Sequence, residues 1–384
     1  STRTAFLPRT FYCLCFAAMA SLYPFLALYY AHLGLSGDQI GTLAAIPPLV
    51  SLFAASLWGA LADLTQKYRY ILRLAISGVI ASALALSLTR TFLGLIPAVI
   101  AYACFMAPII PLIDNAVLKL LGDQADRYGK VRLWGAVGWG VAAPLMGWLV
   151  EQFGLRWSFY GYAILMCGSL AASWYLPVAR ASIGGGFRRG LRALLRNRQW
   201  LFFLLIVFIG GMGQASVNNF LFLYLSDLGA SKSVMGWALT IATASETTVL
   251  FFADRLLARW GAPKMLAFSL GATAVRLLAY SFARVPWLAL LIQLLHGPTF
   301  AVMWAAGVSY ANRSAPVGLG ATALGLFSSA NFGVGAAAGA FACGLLYERL
   351  GSLLMFRWMG LWGLFGLVLL VAIGLRQPRP ASAV

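Results

Sequence analysis

Acidic residues are scarce in this chain: ten Asp plus Glu stand against 28 Lys plus Arg in 384 residues. Charged residues of both signs reach only 10%, where a soluble domain carries about 25%. With 61% hydrophobic residues, too little polar surface is left to clothe a water-soluble globule. There are two histidines, and no HExxH, GxSxG or GxxxxGK[ST] stretch. Those gaps exclude a zinc or serine intramembrane hydrolase and an ATP-driven pump. The five cysteines (Cys13, Cys15, Cys104, Cys167 and Cys343) are odd in number, lie in apolar runs and form no CxxC pair. They read as small buried side chains, neither disulfide framework nor metal site.

What the chain does have is apolar runs of roughly 20 residues, each long enough to cross a bilayer as a helix. Polar and Gly/Pro punctuation divides it into twelve expected spans, near 8–32, 38–62, 70–90, 93–121, 129–151, 155–178, 199–227, 233–258, 263–283, 286–311, 318–347 and 352–375. The fold class is therefore an all-α, multi-pass membrane protein. The net charge of +18 is distributed in the loops. Lys67 and Arg69 follow span 2, Arg127, Lys130 and Arg132 follow span 4, and Arg255, Arg259 and Lys264 follow span 8. Arg313 follows span 10, and Arg376 and Arg379 close the chain. The other loops carry mostly single charges. This alternation is the positive-inside pattern and puts both termini and the central loop in the cytoplasm of a cell (inner or plasma) membrane. A nucleic-acid binder would gather its basic residues on one soluble face, so nucleic acid is not an expected partner.

Two stretches repeat. "FLALYYAHLGLSGDQIG" from Phe25 matches "FLFLYLSDLGASKSVMG" from Phe220, and "GALADLTQKYRYILRLAISG" from Gly59 matches "LFFADRLLARWGAPKMLAFSLG" from Leu250. The repeat predicts two pseudo-symmetric six-helix bundles, residues 1–178 and 198–384, joined by a basic cytoplasmic linker at 179–197 expected to lie on anionic lipid. It also argues that the N-terminal run with Arg3 and Arg9 is a span and not a cleaved signal.

At this point the sequence resembles the major facilitator superfamily. The loop signature G-x-x-x-D-(R/K)-x-G-(R/K)-(R/K) of that family is met in part by Gly59, Asp63, Lys67 and Arg69, with an echo at Asp254 and Arg255. Leu64 replaces a basic residue, Gln66 a glycine, and Tyr68 breaks the basic pair. The resemblance implies a cytoplasmic latch built on these residues, and a solute site at mid-membrane between two halves that rock around it.

A few ionisable groups sit inside apolar runs: Asp114, Arg132, Glu246, Arg276 and His296. An ionised carboxylate at mid-bilayer costs at least about 2.5–3.5 kcal/mol, so such groups face a polar interior and mark function. Asn115, Gln214, Asn218, Asn219, Gln293 and Asn331 are enough to line a polar cavity around them. Glu246 and Arg276 are expected to pair, or to exchange a proton as the cavity alternates between dry and wet.

The region "IDNAVLKLLGDQADRYGKVRLWGAVGWG" is similar to the same segment of lactose permease and the galactoside:proton symporters. That resemblance implies that Asp114 and Arg132 bind solute hydroxyls as a pair and that Trp139 stacks on a sugar ring. It places Arg276 and His296 on the coupling arginine and histidine of the family. Thr299 stands where the symporters carry their proton-bearing glutamate, and Thr243 where they carry another, one turn before Glu246. In both respects the chain looks more like the phenylpropionate-permease-like branch.

The expected function is proton-coupled uptake of a small organic solute by alternating access. Protons serve as the coupling ion, there is no other cofactor and no metal, and the protein is expected to work as a monomer in the lipid bilayer. Solute-binding candidates are Asp114, Asn115, Arg132, Trp139, Tyr23, Phe25, Gln214, Asn218 and Asn331, with Tyr29 and Trp304 as nearby aromatics. Glu246, Arg276 and His296 are the proton-coupling candidates. Two acids and two arginines nearly cancel, which favours a neutral sugar, glycoside or nucleoside over an aromatic acid. A drug exporter would carry a Gly-Pro pair in span 5, which "GWGVAAPLMGW" lacks. A receptor that has lost transport is the remaining alternative.

Overall fold

In lipid every backbone N–H and C=O must find its partner within the protein, so an open chain can cross only as helix. The computed structural model describes residues 2–122, 128–174, 194, 196–316 and 319–377, and among them there are helices and turns but no strand. Most of the 179–197 linker, together with Arg127 and Arg379, lies outside the described residues. Nine helices among those described are long and apolar enough to cross a membrane. This is a multi-pass membrane protein.

The chain divides into two compact units, residues 1–182 with 230–240, and residues 183–229 with 241–384. The first unit is built from α1 (Thr2–His32), α2 (Gly37–Thr65), α3 (Tyr68–Leu88), α4 (Phe92–Met106), α5 (Ile109–Leu121), α6 (Tyr128–Phe153) and α7 (Arg156–Ser173). α1 packs on α6 and α7, and α3 on α4 and α7. Lipid tails are as apolar as leucine, so close packing has to hold these helices together, and small residues allow it. At Gly138 of α6 a Cβ would stand 2.1 Å from the Cys13 carbonyl oxygen of α1, a distance no side chain tolerates.

The segment 230–240 is the start of α9 (Lys232–Phe282) and packs on α6. The Ser233 N–H donates to Glu151 Oε2 at 3.1 Å, and Thr240 Oγ1 donates to the Gly140 carbonyl at 2.7 Å. Glu151 thereby satisfies one of the donors that a helix N-terminus leaves open.

The second unit contains α8 (Arg198–Asp227), the rest of α9, α10 (Pro286–Ile292), α11 (Val302–Ser314), α12 (Gly320–Ser328) and α13 (Ala336–Ile373). Asn197 caps α8 by accepting from the N–H groups of Gln199 and Trp200. α8 packs on α13, around a core in which Phe203 stacks on Tyr310 at 4.4 Å between ring centroids. α9 breaks at Gly261 (φ 73°) and α13 at Gly351 (φ 77°).

The repeat acquires a physical meaning here. Gly34 (φ 81°) and Gly229 (φ 79°) end α1 and α8 in the left-handed conformation that suits glycine. Two residues on, Ser36 and Ser231 sit at the start of the next helix. The Ser36 N–H donates to Gln39 Oε1, and Ser231 Oγ accepts from the Val234 N–H. Departures from the expected spans are local. α4 and α5 are separated at Ala107–Pro108 within the 93–121 run. The 286–311 run passes through a 3-10 turn (Gln293–Leu295) and a π-helical stretch (Gly297–Ala301), and the 318–347 run through a second π stretch (Ser329–Gly335).

Candidate functional site

Two polar clusters stand out, one in each unit. In the first, the close approach of α1 to α6 brings Tyr12 and Phe16 beneath Arg132. The guanidinium lies 5.8 Å from the Tyr12 ring centroid and 5.4 Å from that of Phe16, within reach of cation–π attraction. Gly135, one turn beyond Arg132, leaves the space that the Phe16 ring fills. From α5, Asp114 accepts from Arg132 Nη1 at 3.1 Å through Oδ1 and at 3.5 Å through Oδ2. The Tyr12 hydroxyl donates to the same Oδ1. Oδ1 thus takes two donors, Oδ2 has a long contact to Arg132, and Tyr128 is a further hydrogen-bond partner of the same carboxylate. Tyr12 itself is fully buried, whereas the Asp114 and Arg132 side chains keep 27% and 38% exposure.

Trp139 is seven residues beyond Arg132 on α6, two turns along the same face and about 10 Å up the axis. It is half-buried, as is Asn115 beside Asp114. Tyr23 is half-buried and edge-on to Tyr102 at 6.0 Å. Phe25 has no exposed surface, which places it in the packed core of the unit and not on a cavity wall. Tyr29 is also core, its hydroxyl donating to the Leu86 and Ser87 carbonyls at the end of α3.

In the second unit the expected Glu246–Arg276 pair does not form. Glu246 Oε2 lies 3.5 Å from His296 Nε2. Arg276 is 1% exposed and donates to Gln293 Oε1, to Thr299 Oγ1 at 3.0 Å and to His296 Nδ1 at 3.1 Å. The reason is positional: Gln293, His296 and Thr299 lie about one turn apart on one irregular helical stretch, so a single guanidinium spans all three. Arginine has no acceptor, so Nδ1 must present its lone pair and Nε2 carries the hydrogen that faces Glu246. This is the geometry of a neutral imidazole between a cation and a carboxylate. Thr299, which replaces the acid of the symporters, supplies an oxygen to Arg276 instead.

Gln214 and Asn331 are buried at 8% and 4% exposure and line a common cleft, whereas Asn218 is exposed. Asn219 spends its amide on the Ala215 carbonyl of its own helix. At the loop motif, Asp63 accepts from the Tyr68 hydroxyl, and no ion pair to Lys67 or Arg69 forms among the described residues. Gly59 is in open space, Asp254 is exposed, and Arg255 lies over the Phe252 ring at 5.8 Å. The Asp63 contact is a neutral hydroxyl on a carboxylate, given by one of the three residues that depart from the family signature. Among the described residues, no three His, Cys, Asp or Glu side chains gather as metal ligands would.

Sequence reasoning missed Tyr12 and Phe16 as members of these clusters, and placed Gln293 among the polar residues around the charges without making it the partner of Arg276. Nothing in the local pattern marks Tyr12, since its partner is 102 residues away.

Comparison with known proteins agrees with this architecture. The chain is 28% identical over 372 residues to the Maltose permease of Geobacillus stearothermophilus, covering 96% of this chain and 94% of that one. It is 26% identical over 367 residues to the Probable 3-phenylpropionic acid transporter of Escherichia coli (strain K12), covering 93% and 92%. The crystal structure of the nucleoside transporter NupG superposes with a TM-score of 0.85 at 18% identity, over 96% of this chain and 98% of that one, a likeness of fold. These proteins are transporters, not enzymes. The model of the MFS_1 like family matches residues 8–358, and the chain belongs to that family of major facilitator transporters.

Proposed function

We propose that this protein is a proton-coupled symporter that takes up a small neutral organic solute, a sugar, glycoside or nucleoside, by alternating access. The observation that carries the coupling is His296 held between Arg276 and Glu246. A second positive charge on the imidazole would face the fixed Arg276 guanidinium, so the proton that comes and goes belongs on Glu246. A neutral Glu246 suits a dry, occluded state, and an ionised one suits a state in which water reaches it. His296 positions the carboxylate and senses its charge through Nε2.

Asp114 and Arg132 bind the solute. The Asp114 carboxylate accepts from a solute hydroxyl, and the guanidinium nitrogens not used by Asp114 donate to a neighbouring oxygen. Trp139 offers an aromatic face two turns along. A carboxylate solute, such as the one named for the 3-phenylpropionic acid relative, would need an arginine to spare. The charge of Arg132 is already balanced by Asp114, and Arg276 is buried against Gln293, Thr299 and His296. The maltose and nucleoside transporters among the similar proteins support a neutral, hydroxyl-rich solute. Counting α9 and α13 as two spans each and adding α7 supports twelve spans, with both termini cytoplasmic by the loop charges, in a monomer of the cell membrane.

The test is uptake into proteoliposomes with and without an inward proton gradient, using maltose and uridine as labelled probes. Glu246→Gln fixes the neutral form. It should still exchange solute across the membrane and lose accumulation driven by the gradient. A variant that accumulates solute as wild type does would remove Glu246 from the coupling role.

A further inference from the structure

The irregular stretch that carries His296 is held by more than its own ladder. Its 3-10 turn gives the Gln293 carbonyl to the His296 N–H. Two positions on, Pro298 has no N–H to offer the Leu294 carbonyl four residues back. In lipid such freed backbone groups have to be met by a neighbouring helix or its hydroxyl side chains. Ser245 of α9 meets two backbone groups at once. Its Oγ donates to the Leu294 carbonyl at 2.5 Å and accepts from the Gly297 N–H at 3.0 Å. The far end of the stretch is tied separately, by Ser269 Oγ donating to the Thr299 carbonyl at 2.6 Å.

The two backbones also touch at this point. A Cβ on Gly297 would stand 2.4 Å from the Ser245 carbonyl oxygen and 2.6 Å from Val249 Cγ2, so glycine is what lets the helices meet. On both sides the clasp is one residue from the proposed coupling pair, because Ser245 precedes Glu246 and Gly297 follows His296. The Glu246–His296 contact of 3.5 Å joins two side chains that turn freely unless their supports are fixed. Hydroxyl repair of a proline break also serves plain packing. In the first unit Pro144 leaves the Gly140 carbonyl without its helical donor, and Thr240 Oγ1 supplies one at 2.7 Å. Ser245 differs in where it stands, beside Glu246 and against the residue that follows His296.

We propose that Ser245 is a positioning residue for proton coupling: its hydroxyl clasps the start of the broken helix against α9 and so holds the His296 imidazole at Glu246. The assignment rests on the coupling role proposed above for Glu246 and names the group that keeps carboxylate and imidazole in register.

The test separates backbone repair from positioning. Ser245→Ala leaves the Leu294 carbonyl and the Gly297 N–H unmet and should melt several degrees lower. Pro298→Ala gives back the missing N–H, so Ser245→Ala/Pro298→Ala should recover the melting temperature while the helices stay unclasped. The chain has two histidines, so nitrogen NMR of isotope-labelled histidine in the full-length protein in nanodiscs shows two imidazoles, and His32→Gln assigns them. Glu246→Ala gives the signal of a His296 with no carboxylate partner. The double variant should move to that signal, and its gradient-driven accumulation of maltose or uridine in proteoliposomes should fall at least about fivefold while exchange persists. Pro298→Ala alone keeps the hydroxyl and should resemble wild type in both readouts. A folded double variant with the wild-type His296 signal, or an equal loss in Pro298→Ala alone, overturns the role of Ser245. Accumulation lost in Glu246→Gln but kept in the double variant removes Ser245 and leaves Glu246 in its role. A moved His296 signal with accumulation undiminished in Glu246→Gln does the reverse.

Discussion

At the scale of single residues, what matters is which atom each charged group has left to offer. Asp114 gives Oδ1 to Tyr12 and Arg132 and takes Tyr128 as a further partner. Tyr12→Phe frees Oδ1 to swing toward Arg132 and removes a hydrogen bond to a charged acceptor, worth about 1.5–3 kcal/mol. The folded state should lose stability of that order, read as a lower melting temperature, and solute affinity should fall in the folded fraction because the Asp114 carboxylate is no longer held in place. Arg132→Lys should abolish measurable binding, because an ammonium replaces a planar fork that both holds Asp114 and faces solute. Equilibrium binding of whichever probe wild type takes up checks both, and near-native affinity in either variant would detach this cluster from the solute site. The sequence marked Asp114 and Arg132 by their cost in hydrocarbon. It could not mark Tyr12, whose hydroxyl is at home at any depth.

At the scale of elements, helix ends and close crossings set stability. α2 ends at Gln66 with φ 57° and ψ 16°, the only non-glycine positive φ among the described residues. This is the position at which the family signature has glycine. The left-handed conformation costs a side-chain-bearing residue about 1–2 kcal/mol, so Gln66→Gly should raise thermal stability by about 1 kcal/mol. A lower melting temperature would mean that the Gln66 Nε2 contact to the Asp63 carbonyl outweighs the strain. Gly138→Val should do the opposite and melt several degrees lower or fail to accumulate, since its Cβ has nowhere to go against Cys13. Such element-level features were half legible. The Gly-x-Ser repeats announced their turns, whereas nothing in apolar runs 286–311 and 318–347 announced a π turn, which depends on what the helix packs against.

At the scale of the whole molecule, alternating access requires surfaces that are open in one state and closed in another. Gly59 has nothing within 4 Å of where a Cβ would be. Alanine there should leave the melting temperature equal or slightly higher, through its better helix propensity. If the loop signature closes on a partner elsewhere in the cycle, Gly59→Ala should nevertheless slow uptake severalfold in proteoliposomes. Equal stability and equal uptake would confine that glycine to a solvent-facing role.

The sequence by itself determined that the chain crosses a membrane, that it carries a duplicated pattern and that it belongs among major facilitator transporters. The first two follow from hydropathy, loop charge and spacing, and the third from the resemblance of short motifs to that family; all are properties of contiguous residues and survive any arrangement of the helices. The tertiary structure decided the partners. Glu246 faces His296 while Arg276 turns to Gln293 and Thr299, Asp63 takes a tyrosine in place of a basic residue, and Phe25 goes to the core. A charge in an apolar run demands a partner, but which side chain meets it depends on the rotation and crossing of helices distant in the chain. Steric fit at positions such as Gly138 and Gly211 fixes those crossings, and no local window of residues contains that information.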